Sequence, residues 1–152
     1  MLLKAAWRQV GFGATGLNHP GSGGALGALQ TFNDFYQGCP RDDWQPDLVV
    51  INHGTNDANV PPDAYALLYA RYLALVRQAY PKAKIAALRP FGGAQAESIS
   101  QEVLKARAKG DRAVYYIDTT SWYSGPLHPG AAASIGLADK LVAALKSEVS
   151  GL

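Results

Sequence analysis

Short apolar runs alternate along this chain with longer stretches in which apolar side chains recur every three or four positions. The run at 47–52 (Asp-Leu-Val-Val-Ile-Asn) is continuous and β-branched, as in parallel strands buried on both faces. Residues 84–88 and 113–117 predict two further strands, and 8–12, which leads into a Gly-rich stretch, predicts a short first one. Between them, 63–80 places Tyr65, Leu68, Tyr72, Leu75, Val76 and Ala79 at helical spacing. Asp63 is the expected N-cap after Pro61-Pro62, and Pro81 the stop. Residues 94–109 predict a helix ended by Gly110. Residues 131–149 predict another, with Ile135, Ala138, Leu141, Val142, Leu145 and Val149 as its buried stripe, and 25–36 a fourth.

Strands alternating with helices imply βαβ units and an α/β fold with a parallel sheet covered on both faces. Ligands in such sheets sit beyond the carboxyl ends of the strands. Chemistry is therefore expected in loops 13–24, 53–59, 89–93 and 118–130, and every unusual cluster of the sequence falls in one of them.

Composition narrows the function classes. The 152 residues suit one domain, and 48% hydrophobic against 17% charged residues reads as globular. A formal net charge of +2 without a Lys/Arg stripe argues against nucleic acid as partner. No apolar run reaches the roughly 20 residues of a membrane span. Cys39 is alone, so no internal disulfide forms. The opening Met1-Leu2-Leu3-Lys4 lacks the apolar core of a secretion signal, and the true N-terminus is expected upstream.

Three clusters carry candidate chemistry. Gly11-Phe12-Gly13-Ala14-Thr15-Gly16 matches G-x-G-x-x-G, but a dinucleotide loop must open straight into a helix, and Asn18 to Gly24 cannot continue one. A plain Gly-rich turn, or a backbone N–H near Gly13 facing an oxyanion, remain as readings. Asn52 to Asn59 follows the best strand; its residues are ordinary turn formers, yet a side-chain amide at a strand's carboxyl end is also a good oxyanion donor. Gly125-Pro126-Leu127-His128-Pro129-Gly130 precedes the last helix, where His128 suits a general base and Pro129 restricts its ring. His19, His53 and His128 lack the close spacing of metal ligands, so no metal is expected.

Together and in this order the clusters resemble the SGNH (GDSL-like) hydrolase superfamily. Gly54-Thr55-Asn56-Asp57 is similar to its G-x-N-D block, and Leu127-His128-Pro129 to its C-terminal His block. The wording at Val10-Gly11-Phe12-Gly13, Trp44-Gln45-Pro46-Asp47 and Tyr116-Ile117-Asp118 resembles acetyl- and carbohydrate-esterase-like members. The resemblance implies a three-layer α/β/α fold with a flavodoxin-like parallel sheet. It also implies a small acyl ester or acetylated carbohydrate as substrate, and no cofactor. Asn56 and Gly13 would form the oxyanion hole and His128 the general base. His53, Asp57, Phe91 and Trp122, with Tyr123, are candidate pocket residues.

Two departures stand out. The family's serine lies in a G-D-S block on its first strand, but residues 1–10 contain no serine. The nucleophile is therefore expected outside these residues, in a longer domain whose first strand is absent here. Ser22, Ser98, Ser124 and Cys39 are the alternatives inside the chain. The family also commonly places Asp three residues before the His, where this chain has Gly125, which leaves Asp118, Asp57 or a backbone carbonyl to orient the ring. A catalytically inactive binding module is the competing reading.

Overall fold

A computed structural model describes residues 5–32, 34–36 and 39–151. Its sheet is built from β3 (Leu48–Ile51), β4 (Lys84–Leu88) and β5 (Val114–Ile117), all parallel and in the order β3-β4-β5. Val49 is in register with Ile85, and Ile85 with Val114. A separate antiparallel pair, β1 (Asp34–Tyr36) and β2 (Cys39–Pro40), precedes it. The described residues also form four α-helices, α1 (Ala28–Thr31), α2 (Pro62–Ala79), α3 (Ala96–Ala108) and α4 (Ala131–Glu148).

Strand alternation divides the core in two. Ile51, Ile85, Ala87 and Val114 point toward α2 and α3, and pack with Tyr65, Tyr69, Tyr72, Leu73, Val76, Ile99 and Val103. Ala86, Leu88 and Ile117 point the other way and meet Leu145 and Val149. Burying each Ile or Val stabilises the fold by roughly 1.5–3 kcal/mol. The three-layer α/β/α arrangement thus follows from the alternation within three strands.

Several expectations need correction. Residues 8–12 are not a strand; Arg8 instead pairs with Asp42 and lies over the Trp44 ring. The helix expected over 25–36 shrinks to α1, because Gly27 is pressed against the Leu17–Asn18 backbone and the aromatic segment beyond favours a strand. Asn33, inside that expected helix, lies outside the described residues. Pro61, not Asp63, is the N-cap of α2, with Pro62 in the first turn and Asp63 placed where its charge favours the helix dipole. Leu68 packs partly buried against the core, and the fully buried Tyr69 joins it on the α2 face. In α4 only the carboxyl-terminal half seats on the sheet; Leu145 is buried while Ile135 is 70% exposed. Val50 is 41% exposed, and the outer edge of β3 has no partner strand among the described residues.

The Tyr69 hydroxyl is buried with no hydrogen-bond partner among the described residues. Tyr69→Phe removes that unsatisfied group without leaving a cavity, so stability should rise by about 1 kcal/mol, read from urea midpoints. A fall of that size would place a partner on the hydroxyl.

Candidate active site

Because β3, β4 and β5 are parallel, the loops that follow them emerge at one end of the sheet. His53, Asn56 and Asp57 follow β3, Phe91 follows β4, and Trp122 and His128 follow β5.

After Ile51 the chain turns through Gly54 (φ 134°), a conformation open to glycine, into a single 3₁₀ turn at Thr55–Asp57. The turn sends its two polar side chains to different places. Asn56 is exposed, and its Nδ2 donates to the Thr15 carbonyl at 3.0 Å. Asp57 is 1% exposed, and its carboxylate accepts the backbone N–H of Leu17 at 2.6 Å and of His19 at 3.4 Å. Expected to line a pocket, Asp57 instead lies beneath the Gly-rich loop. Gln95, at the start of α3, donates to the carbonyls of Asp57 and Val60, both at 2.8 Å, and so ties the β3 loop to the β4 loop.

The Gly-rich loop is itself closed. Ser22 N donates to the Gly13 carbonyl at 2.7 Å, Gly21 N to Ala25 at 2.7 Å, and Ala28 N to Gly16 at 2.9 Å. A Cβ on Gly16 would run into the Asp57 carboxylate, which explains the glycine there. Gly13 is exposed, and its N–H has no acceptor among the described residues. The structure therefore brings Asn56, Asp57 and the Gly13 loop into one hydrogen-bonded unit.

His53 is half-buried and packs edge-on against Tyr72, with ring centroids 5.2 Å apart. Burial lowers its pKa below the ordinary 6.5, and the nearby Asp57 charge opposes that shift more weakly. A histidine with a depressed folded-state pKa takes up its proton more readily when unfolded. Stability should therefore be full above 6.5 and fall as pH drops from 6.5 toward the depressed value. His53→Phe should flatten that part of the stability–pH curve; an unchanged slope would assign the acid sensitivity elsewhere.

The β5 loop holds the remaining candidates. His128 is exposed, and no hydrogen bond joins it to Asn56, Asp57 or the Gly13 loop among the described residues. Phe91 and Tyr123 pack together with centroids 5.7 Å apart, bridging the β4 and β5 loops. Trp122 packs among Ile117, Leu145 and Val149, under α4. A Cβ at Gly125 would meet the Tyr123 ring, so a side chain there would require that ring to shift. Asp118 is held by the hydroxyl and N–H of Thr120, which lower its pKa, with Arg89 at 3.7 Å adding a smaller effect. Among the described residues, neither Asp118 nor Asp57 is hydrogen-bonded to His128. No three of the His, Cys, Asp and Glu side chains among the described residues converge as a metal site. No helix among the described residues is long and apolar enough to cross a membrane.

Sequence reasoning missed Gln95 and Thr15. Their parts depend on contacts between loops far apart in sequence, which leave no periodic or spacing signal.

Solved structures share this fold. A family two carbohydrate esterase from Clostridium thermocellum, in complex with cellohexaose, is 27% identical with a TM-score of 0.71, over 88% of this chain and 47% of that one. An active site mutant of a family two carbohydrate esterase from the same organism is 26% identical with a TM-score of 0.72, again over 88% and 47%. An acetyl xylan esterase from the rumen bacterium Butyrivibrio proteoclasticus shares the fold at 19% identity and a TM-score of 0.68, over 90% and 49%. The chain thus spans about half the length of these solved proteins. Among curated proteins no sequence matches. Residues 2–134 match the GDSL-like lipase/acylhydrolase family, so the chain belongs to the GDSL-like (SGNH) family of ester hydrolases.

Proposed function

We propose that the chain carries the oxyanion hole and general base of a serine ester hydrolase that removes a small acyl group, in particular an O-acetyl group from carbohydrate. One observation carries this reading: the 3.0 Å bond from Asn56 to the Thr15 carbonyl joins segments 41 residues apart, each holding one proposed oxyanion donor. With one N–H committed to Thr15, the amide plane is fixed and its second N–H is left for a substrate oxygen. The Gly13 N–H is the other donor. Donors fixed before reaction need no reorganisation as negative charge develops.

His128 accepts the proton of a serine hydroxyl as that oxygen attacks the ester carbonyl carbon. It then returns the proton to the leaving alcohol, and water repeats the sequence to release the acid. The serine is proposed to enter on a strand paired with the outer edge of β3, beside the exposed Val50. Within the chain, Ser98 is buried with its hydroxyl donated to Pro62, and Ser124 lies exposed on the β5 loop. Ser22 sits beside Gly13 and is the internal alternative. The carbohydrate substrate is supported by the likeness to family two carbohydrate esterases at 26% and 27% identity.

A second reading is a catalytically inactive module that binds carbohydrate or a partner. Gly125 favours it, since glycine leaves His128 without a carboxylate at that position. A polypeptide joining these 152 residues to a serine-bearing strand should hydrolyse p-nitrophenyl acetate and release acetate from acetylated xylan. Oligosaccharide binding by that polypeptide without turnover would establish the binding module instead.

A further inference from the structure

We propose that Asp57 is a positioning residue for the oxyanion hole, setting the Gly13 N–H against the Asn56 amide without touching substrate. The inference rests on the esterase reading and extends it to a residue that is 1% exposed.

The geometry is that of a clamp. Asn56 and Asp57 are adjacent, so the 3₁₀ turn that orients one orients the other. Asn56 donates to the loop at Thr15, while Asp57 accepts from it at Leu17 and His19. Opposite polarity at neighbouring points fixes both the height and the direction of the loop backbone. At 2.6 Å the Leu17 bond is a short, charge-assisted one. Gly16 lies against the carboxylate with no room for a side chain, so the loop sits as close as backbone can. The main chain of Asp57 is fixed in turn by Gln95 from the α3 side and by its own N–H to Gly54 at 3.1 Å.

No Lys or Arg pairs with Asp57 among the described residues, so backbone dipoles alone hold a buried carboxylate. A buried charge is a poor device for stability by itself, because desolvation offsets much of what its partners return. It is an effective device for position, because replacing the charge weakens two main-chain contacts of one loop at once. The neighbouring oxyanion donors would feel that shift: a misplacement of about 1 Å at a reacting centre costs about 10²-fold in rate.

The test uses Asp57→Asn, which keeps the shape and removes the charge, and Gly16→Ala, which pushes the loop from the other side and leaves the charge. Backbone NMR of the 152-residue chain reads the clamp without any turnover. In both variants the Leu17 amide should exchange at least about 10-fold faster and the Gly13 N–H and Asn56 side-chain resonances should move, while Ile85 and Ile117 amides stay protected. In a turnover-competent polypeptide, kcat per titrated active site should fall about 10²-fold with KM held within about 2-fold. A Leu17 amide that stays protected in Asp57→Asn, or a loosened loop that leaves Gly13 and Asn56 unmoved, overturns the proposal. So does a loss confined to the number of active sites, with kcat per site unchanged. If the chain proves to have no esterase activity, the NMR result still decides whether Asp57 sets the two donors.

Discussion

Asn56→Ala is expected to lower kcat for acetyl-ester hydrolysis about 10²–10³-fold with KM nearly unchanged, measured in a polypeptide that pairs these residues with a serine-bearing strand. The loss corresponds to one oxyanion donor, or about 2.7–4 kcal/mol of barrier. Alanine here removes two things at once. The N–H facing the substrate disappears, and so does the bond that holds the Thr15 carbonyl against the turn. The residue is exposed, so the fold itself should lose little, and the melting temperature is the control. Asn56→Asp sharpens the assignment. It keeps the size but turns a donor into a negative acceptor facing both the Thr15 carbonyl and the proposed oxyanion, and its loss should be at least as large. A kcat that survives either change would remove Asn56 from the chemistry.

His128→Ala should lower kcat by about 10²–10⁴-fold, the range for a general base acting in the transition state. His128 sits in an exposed turn ahead of α4, away from both cores, so stability should stay within about 0.5 kcal/mol. Activity lost with the fold intact is therefore the expected signature. The proposed base has no carboxylate at position 125, where Gly125 lies against the Tyr123 ring. Asp118 and Asp57 are each engaged with backbone in their own surroundings. Tyr123→Ala with Gly125→Asp would open space for a carboxylate at position 125, and a gain in kcat there would show that an orienting acid was the missing element.

How far the sequence speaks for the structure differs along the chain. Residues 47–52, 84–88 and 113–117 predict β3, β4 and β5 to within a residue or two, because short apolar runs flanked by turn residues have few other solutions. Helices α2, α3 and α4 were equally legible from apolar periodicity and their Pro and Gly stops. The segment before Asp47 was not. Its conformation follows from contacts between Gly16 and Asp57, and between Gly27 and the Leu17–Asn18 backbone, which have no periodic trace. The buried stripe of α4 was overread at Ile135, since periodicity reports which face is apolar and not how much of that face finds a partner.

The site divides in the same way. Strand-end loops pointed to Asn56, His53 and His128, because polar turn residues after buried parallel strands mark the ligand end of such sheets. The burial of Asp57 was not legible. Its neighbour in sequence is an exposed amide, and only the 3₁₀ turn separates the directions of the two side chains. Trp122, a candidate pocket residue, packs partly buried against the core cluster that holds Leu145 and Val149.

The central claim is that Asn56 and His128 act on one tetrahedral centre. A double-mutant cycle on kcat, comparing Asn56→Ala, His128→Ala and the combined variant, tests it most directly. Groups serving a single transition state should show strongly non-additive losses, with the double variant only slightly slower than the worse single one. Losses that multiply as independent factors, or a His128→Ala protein as active as its parent, would contradict the account.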